Sequence, residues 1–152
     1  MSEAKRIIDL LNQGFYGEAW HGPAVMESLK GVSAARAAQR SIADAHTIWE
    51  LTHHIGAWKE VVRCRIVGEP VNLTDEENFP VVVKPTATAW KKTIKMLTER
   101  HEALVKAVGK LSDDRLVKKM PGGIPSYYAQ IHGVIQHDLY HTGQIVLLKK
   151  AK

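Results

Sequence analysis

The segment His137–Ile145 reads HDLYHTGQI and places two histidines four residues apart. On an α-helix, residues at this spacing lie one turn above each other on nearly the same face. With Ile131 at zero and about 100° per residue, His137 falls at about 240° and His141 at about 280°. Apolar residues share that side of the predicted helix, so both imidazoles are expected to face inward. Such a pair can bind one metal ion, but two core histidines satisfied by hydrogen bonds give the same pattern.

This segment belongs to the last of four long predicted helices. Apolar residues recur at helical spacing in four parts of the chain: residues 2–16, 48–67, 86–108 and 127–150. The second helix begins at a capping box formed by Thr47 and Glu50, and Gly68 follows its end. Ser126 is the predicted cap of the fourth helix. Two short helical turns are expected near Val25–Leu29 and Ser33–Gln39.

The long connection between helices 2 and 3 covers Val71–Pro85. It contains the only β-like run, Val81–Val83, which is too short to form a sheet. Four long helices without a strand predict a single all-α domain over residues 1–152, folded as a four-helix bundle. A connection of this length allows helices 2 and 3 to run in the same direction.

The charge and composition restrict the classes of partner. A formal net charge of +5 raises the question of nucleic-acid binding. The basic residues are scattered without interleaved aromatic residues, which favours a solvated surface over a nucleic-acid interface. No apolar run approaches the ~20 residues of a membrane span, and no signal-peptide pattern is present at the start. The single cysteine, Cys64, fits a reducing compartment, so a cytoplasmic location is expected.

Three further histidines are candidates for a third metal ligand. On helix 2, periodicity places His54 at the edge of the buried face and His53 on the opposite, solvent-facing side. His101 falls near the middle of the apolar stripe of helix 3. Periodicity alone leaves three roles open for His101: a ligand, a hydrogen-bonding partner of a ligand, or a core residue bonded to a carbonyl.

Two stretches carry a resemblance to a known family. They are Thr47–Trp58, which reads TIWELTHHIGAW, and Gly133–Ile145, which reads GVIQHDLYHTGQI. Together they resemble the DinB-like (DinB/YfiT-type) superfamily of metal-dependent proteins. Gly17–Pro23 and Trp90 agree with the same family. The resemblance spans nearly the whole chain, and the paired histidine motifs are quite specific.

The resemblance implies a four-helix bundle of the DinB/YfiT type, usually dimeric, with a three-histidine site for a divalent metal. Carried over by position, the metal ligands are His54, His137 and His141. This assignment agrees with the helix periodicity at His54 and moves His101 out of the site. The neighbouring His53 leaves a one-residue ambiguity in helix 2.

Three imidazoles without a carboxylate leave coordination positions free for water or substrate, as in catalytic sites. Zinc is the expected metal, and nickel, iron and manganese also accept imidazole. Proton competition should lower metal affinity as the pH drops through ~6.5. Gln144, one turn beyond His141, is expected either to orient a ligand or metal-bound water or to bond another helix. Asp138 is a poor match to the glutamate of the HExxH proteases, and nothing else in the chain resembles a protease.

Members of the resembled family include metal-dependent transferases and isomerases that use thiols such as bacillithiol or mycothiol. The resemblance therefore implies a metal-dependent enzyme of the thiol S-transferase type, with a small thiol and an electrophile as substrates. The alternative is a non-catalytic metal-binding or stress-associated dimeric protein. A homodimer interface is expected on helix 4, where an apolar set points away from the histidine side: Ile131, Ile135, Leu139 and Val146.

Overall fold

The structure is a computed structural model that describes residues 1–151. Within these residues, the regular structure is helical, and the one β-bridge joins Lys119 to Ser126. The helices are α1 (Glu3–Tyr16), α2 (Val25–Leu29), α3 (Ala34–Ala38), α4 (Ile48–Val67), α5 (Asp75–Asn78), α6 (Ala87–Val108), α7 (Asp113–Leu116) and α8 (Tyr127–Lys150). A short 3₁₀ turn covers Pro121–Gly123. The predicted all-α class is confirmed; Lys152, the last residue of the predicted domain, lies outside the described residues.

Polar side chains fix the beginnings of the long helices where the sequence predicts them. Thr47 Oγ1 accepts a hydrogen bond from the Glu50 amide, and the Glu50 carboxylate accepts one from the Thr47 amide. Ser126 caps α8 in the same way through the Ala129 amide. These contacts satisfy backbone donors that the first helical turn leaves unpaired. At the other end of α4, Gly68 adopts a left-handed conformation with φ of 83°, which glycine tolerates best.

Side-chain contacts give the directions of the long helices. Near the start of α4, Trp49 Nε1 donates to Thr93 Oγ1 of α6, and farther along a Cβ added at Gly56 would lie 3.6 Å from Leu97 Cα. Later residues of α4 therefore lie beside later residues of α6, so the two helices run in the same direction. Arg65 near the end of α4 bonds Gln130 near the start of α8, so α4 and α8 are antiparallel.

The core consists of two apolar clusters. The first surrounds the starts of α4 and α6 and includes Phe15, Ile55 and Leu97. The second surrounds their ends and includes Leu11, Val62, Leu104 and Ile131. Ile131 was expected at a dimer interface, but it is fully buried inside the protomer because it packs in this second cluster.

A buried polar layer lies between the two clusters. Its four members each fall between residues of the two clusters along their own helix: Asn12, Lys59, His101 and Asp138. Lys59 and Asp138 form an ion pair, with Nζ 2.5 Å from Oδ2, and both side chains are almost completely buried. His101 stacks on Phe15 and bonds Asn12 through Nε2 at 3.0 Å. The hydrogen bonds and the ion pair offset part of the desolvation cost of these groups.

Candidate metal centre

Three histidines from two antiparallel helices converge beside the polar layer. His54 comes from the second turn of α4, and His137 and His141 come from successive turns of α8. Nε2 of His54 and Nε2 of His137 are 2.9 Å apart, and one nitrogen from each of the three rings lies within 4.8 Å of the others. Zinc binds imidazole nitrogens at about 2.0–2.1 Å. Small side-chain movements therefore suffice for one ion to contact all three rings.

The protonation state of His54 follows from its partners. The indole Nε1–H of Trp58 donates to Asn78 Oδ1 at 3.1 Å, and an indole can only donate. The atom of Asn78 that faces Trp58 is therefore the oxygen. The same oxygen lies 2.6 Å from Nδ1 of His54, so Nδ1 must carry the proton and donate it. The lone pair is consequently on Nε2, the nitrogen that faces His137.

Gln144 performs a similar function for His141. Its Oε1 lies 2.6 Å from Nδ1 of His141, three residues earlier on the same helix. An Nδ1–H donated to this oxygen leaves the lone pair of His141 on Nε2. Gln144 thus bonds His141 on its own helix, which is the contact that the predicted ligand-orienting role requires. Hydrogen bonds of this kind fix the tautomer and ring orientation of histidines that bind metals.

An aromatic side chain from the long connection covers His54. The ring of Phe79 stacks on His54 with centroids 4.2 Å apart and planes inclined by 10°. The other face of Phe79 stacks on His46, with centroids 3.7 Å apart. The connection between α4 and α6 thus supplies both a hydrogen-bond acceptor, Asn78, and an apolar cover.

Burial keeps the three rings neutral. Desolvation, with smaller contributions from neighbouring imidazoles, lowers the pKa of His54 to about 4 and the pKa of His137 to about 3. Desolvation also lowers the pKa of His141. Neutral imidazoles offer lone pairs at pH 7 without first losing a proton. Proton competition with a metal is therefore expected to begin at a lower pH than the ~6.5 of an unperturbed histidine.

The two other candidate histidines have different surroundings. His53 lies on another side of α4 and lines a cavity together with Glu60 and Arg100. His101 is completely buried against Phe15 and Asn12 in the polar layer. Among the described residues, the only close group of three potential metal-binding side chains is His54, His137 and His141.

The arrangement also excludes one role for Asp138. Its carboxylate is 2% exposed and is paired with Lys59, so it does not reach the space between the three histidines as a general base would have to.

Asn78, Phe79 and Lys59 were not recognised from the sequence. A signal for the first two was present, because Thr74 and Glu77 form a capping box that predicts the short helix α5. The position of that helix against α4 depends on the path of the whole connection, which local spacing does not reveal. Lys59 carried no signal beyond its place on the apolar face of α4.

Comparison with known proteins identifies one family. The family model described as the DinB superfamily matches residues 20–145. No curated protein and no solved structure matches the chain. In the part of the chain that the structure describes, no helix combines the length and hydropathy needed to cross a bilayer.

Proposed function

Because the chain belongs to the DinB superfamily, we propose that it binds one divalent metal ion per chain through His54, His137 and His141. The observation that carries this proposal is the convergence of three ring nitrogens within 4.8 Å. Two further features support it: burial keeps the rings neutral, and Asn78 and Gln144 direct two of the Nε2 lone pairs towards the common space. Zinc is the proposed metal, since its usual ligands include neutral imidazole; nickel, iron and manganese are the other metals to test.

We further propose that the site is catalytic and of the thiol S-transferase type. A metal ion held by three imidazoles would keep a coordination position open and would lower the pKa of a thiol that binds there. Asn78 would hold the ring of His54, and Gln144 the ring of His141, in the orientation that metal binding requires. Phe79 and Trp58 would restrict water on the side of His54, since both rings pack close to it.

The architecture proposed for this function is a four-helix bundle of the DinB/YfiT type, made of α1, α4, α6 and α8 and acting as a cytoplasmic homodimer. Exposed apolar side chains on α8 support the dimer, because Tyr140 and Leu147 are each 66% exposed and lie two turns apart. Sedimentation at tens of micromolar should give a dimer, and Leu147→Glu should shift it towards monomer. A monomeric wild-type chain would contradict this part of the proposal.

Metal stoichiometry tests the site directly. Wild-type protein loaded with zinc and desalted should retain one ion per chain. His54→Ala and His141→Ala should each lose it while keeping a helical circular dichroism spectrum. His53→Ala is the matched control, because it removes the adjacent imidazole on the same helix and should leave the stoichiometry unchanged. Loss of metal in His53→Ala with retention in His54→Ala would refute the assignment.

Turnover separates the catalytic proposal from the non-catalytic alternative. The zinc-loaded protein should transfer small thiols, with bacillithiol, mycothiol and glutathione as the panel, to an electrophile such as monochlorobimane. His141→Ala should abolish transfer in a folded protein. Stoichiometric metal binding without transfer for any thiol would instead favour a metal-binding or stress-associated role.

A further inference from the structure

A pocket of about 190 Å³ lies between α4 and α8 and reaches His137. Its lining from α4 includes Trp58, Val62 and Arg65, and its lining from α8 includes Gln130, Gly133 and His137. An apolar cavity of about 150 Å³ accommodates a benzene ring. The pocket therefore has room for one small ring with a compact polar substituent.

Arg65 places a positive charge at the end of this pocket. Its guanidinium donates to Gln130 Oε1 at 2.6 Å, which is a neutral acceptor. Across the described residues, no carboxylate lies within 4.0 Å of Arg65, whereas its neighbour Arg63 is paired with Glu60. A guanidinium has five N–H donors in a fork that matches a carboxylate. The charge of Arg65 is thus available to an anionic ligand.

Trp58 connects this charge with the candidate metal centre. The Arg65 guanidinium carbon lies 5.8 Å from the Trp58 ring centroid, and the centroid of His137 lies 6.0 Å from the same ring. The hydrogen bond from Trp58 Nε1 to Asn78 holds the indole in place. A flat ligand that stacks on this ring would have one end near Arg65 and the other near the histidines.

We propose that this pocket binds a small aromatic carboxylate, with the carboxylate on Arg65, the ring against Trp58 and the distal edge towards His137. This inference deepens the proposed function, because it assigns a chemical class to a ligand that binds beside the candidate metal centre. Binding of the carboxylate itself requires Arg65 and Trp58 but not the metal. An experiment can therefore contradict one of the two proposals and leave the other intact.

Benzoate is the probe, and benzamide is its neutral counterpart. We expect benzoate to shift the indole N–H resonance of Trp58 in a two-dimensional NMR spectrum, with the resonance identified through Trp58→Phe. Arg65→Met should weaken benzoate binding at least about tenfold, because hydrogen bonds to a charged partner are lost. Arg65→Met should retain wild-type zinc stoichiometry. Benzamide should bind wild-type protein at least about tenfold more weakly than benzoate does.

A steric test uses two glycines of α8. A Cβ added at Gly133 or at Gly143 meets nothing within 4 Å, so both positions accept a side chain. Only Gly133 lines the pocket. Gly133→Leu should therefore block benzoate, and Gly143→Leu should bind it as wild type does. Leucine has a higher helix propensity than glycine, so neither change should unfold α8.

The outcomes distinguish the two proposals. Equal benzoate binding by wild type and Arg65→Met, equal binding of benzamide and benzoate, or full binding by Gly133→Leu would each overturn the carboxylate subsite. Wild-type protein that binds benzoate through Arg65 but takes up no metal would preserve the subsite and remove the proposed metal function. One zinc ion per chain without benzoate binding would support the metal site and overturn the carboxylate subsite.

Discussion

Asn78, on the connection between α4 and α6, determines which ring nitrogen of His54 carries the proton. Its side-chain oxygen accepts from both Trp58 and His54, so it fixes the indole and the imidazole together. A histidine without such a partner can carry its proton on either nitrogen and can rotate about its side-chain bonds. Holding the proton on Nδ1 keeps the Nε2 lone pair directed at the other two rings.

We predict that Asn78→Leu lowers zinc affinity by about 10- to 100-fold, because the hydrogen bond that orients His54 is lost. Asn78→Asp keeps an acceptor oxygen and should restore most of the affinity. Competition against a chromogenic chelator at pH 7 provides the measurement. Asn72→Leu is the matched control on the same connection, since it makes the same exchange at an exposed position. Equal affinities for Asn78→Leu and Asn72→Leu would show that Asn78 does not orient the site.

At the scale of helices, local signals were sufficient to predict the long elements and their ends. Capping by Thr47 and Ser126 and the stop at Gly68 act over a few residues, so the sequence displays them directly. The histidine pair on α8 was predictable for the same reason, because helical spacing fixes its geometry.

Contacts between elements were less predictable. Whether His101 belongs to the site depends on how α1 and α6 pack, and the structure places its ring on Phe15. The Lys59–Asp138 pair joins α4 to α8 and has no local sequence signature. Periodicity reports which face of a helix is buried, but it does not report which residue of another helix lies opposite.

We predict that Lys59→Met destabilises the fold by about 3–5 kcal/mol, because it leaves a buried carboxylate at Asp138 without its partner. The double variant Lys59→Met/Asp138→Leu should recover much of this loss, since neither charge remains. Urea unfolding at pH 7 measures both. Lys95→Met is the control: its pair with Glu99 is exposed, and the expected change is below about 1 kcal/mol. A loss in Lys59→Met no larger than in Lys95→Met would contradict a structural role for the buried pair.

At the scale of the whole molecule, the polar layer and the candidate metal centre form one buried polar band across the core. Desolvation is the main cause of the lowered pKa values of His101 and His137, and the positive charge of Lys59 makes a smaller contribution to both. A band of neutral imidazoles beside a buried ion pair is costly to protonate. The pH dependence of the stability of the metal-free protein should therefore come from several buried histidines together.

The sign of this response follows from the histidine pKa values. In the unfolded chain a histidine titrates near ~6.5, whereas in the folded protein desolvation lowers the pKa of His101 to about 3. Between these two values the unfolded state binds more protons than the folded state does. Stability should therefore fall as the pH drops from ~6.5 towards ~3, with a slope of up to about 1.4 kcal/mol per pH unit for each such histidine. His54 and His137 add to this slope in the metal-free protein.

We predict that His101→Gln reduces the slope of unfolding free energy against pH, on the acid side, by about 1.4 kcal/mol per pH unit in the metal-free protein, which corresponds to one proton. The glutamine amide should still donate a hydrogen bond to Asn12. Urea unfolding of metal-free protein at several pH values between 7 and ~4 measures the slope. His21→Gln is the matched control, because it makes the same exchange at an exposed loop position. The slope, rather than stability at a single pH, is the decisive quantity, because His101→Gln also removes the stacking on Phe15 at every pH. An unchanged slope in His101→Gln would mean that His101 is protonated as readily in the folded core as in the unfolded chain.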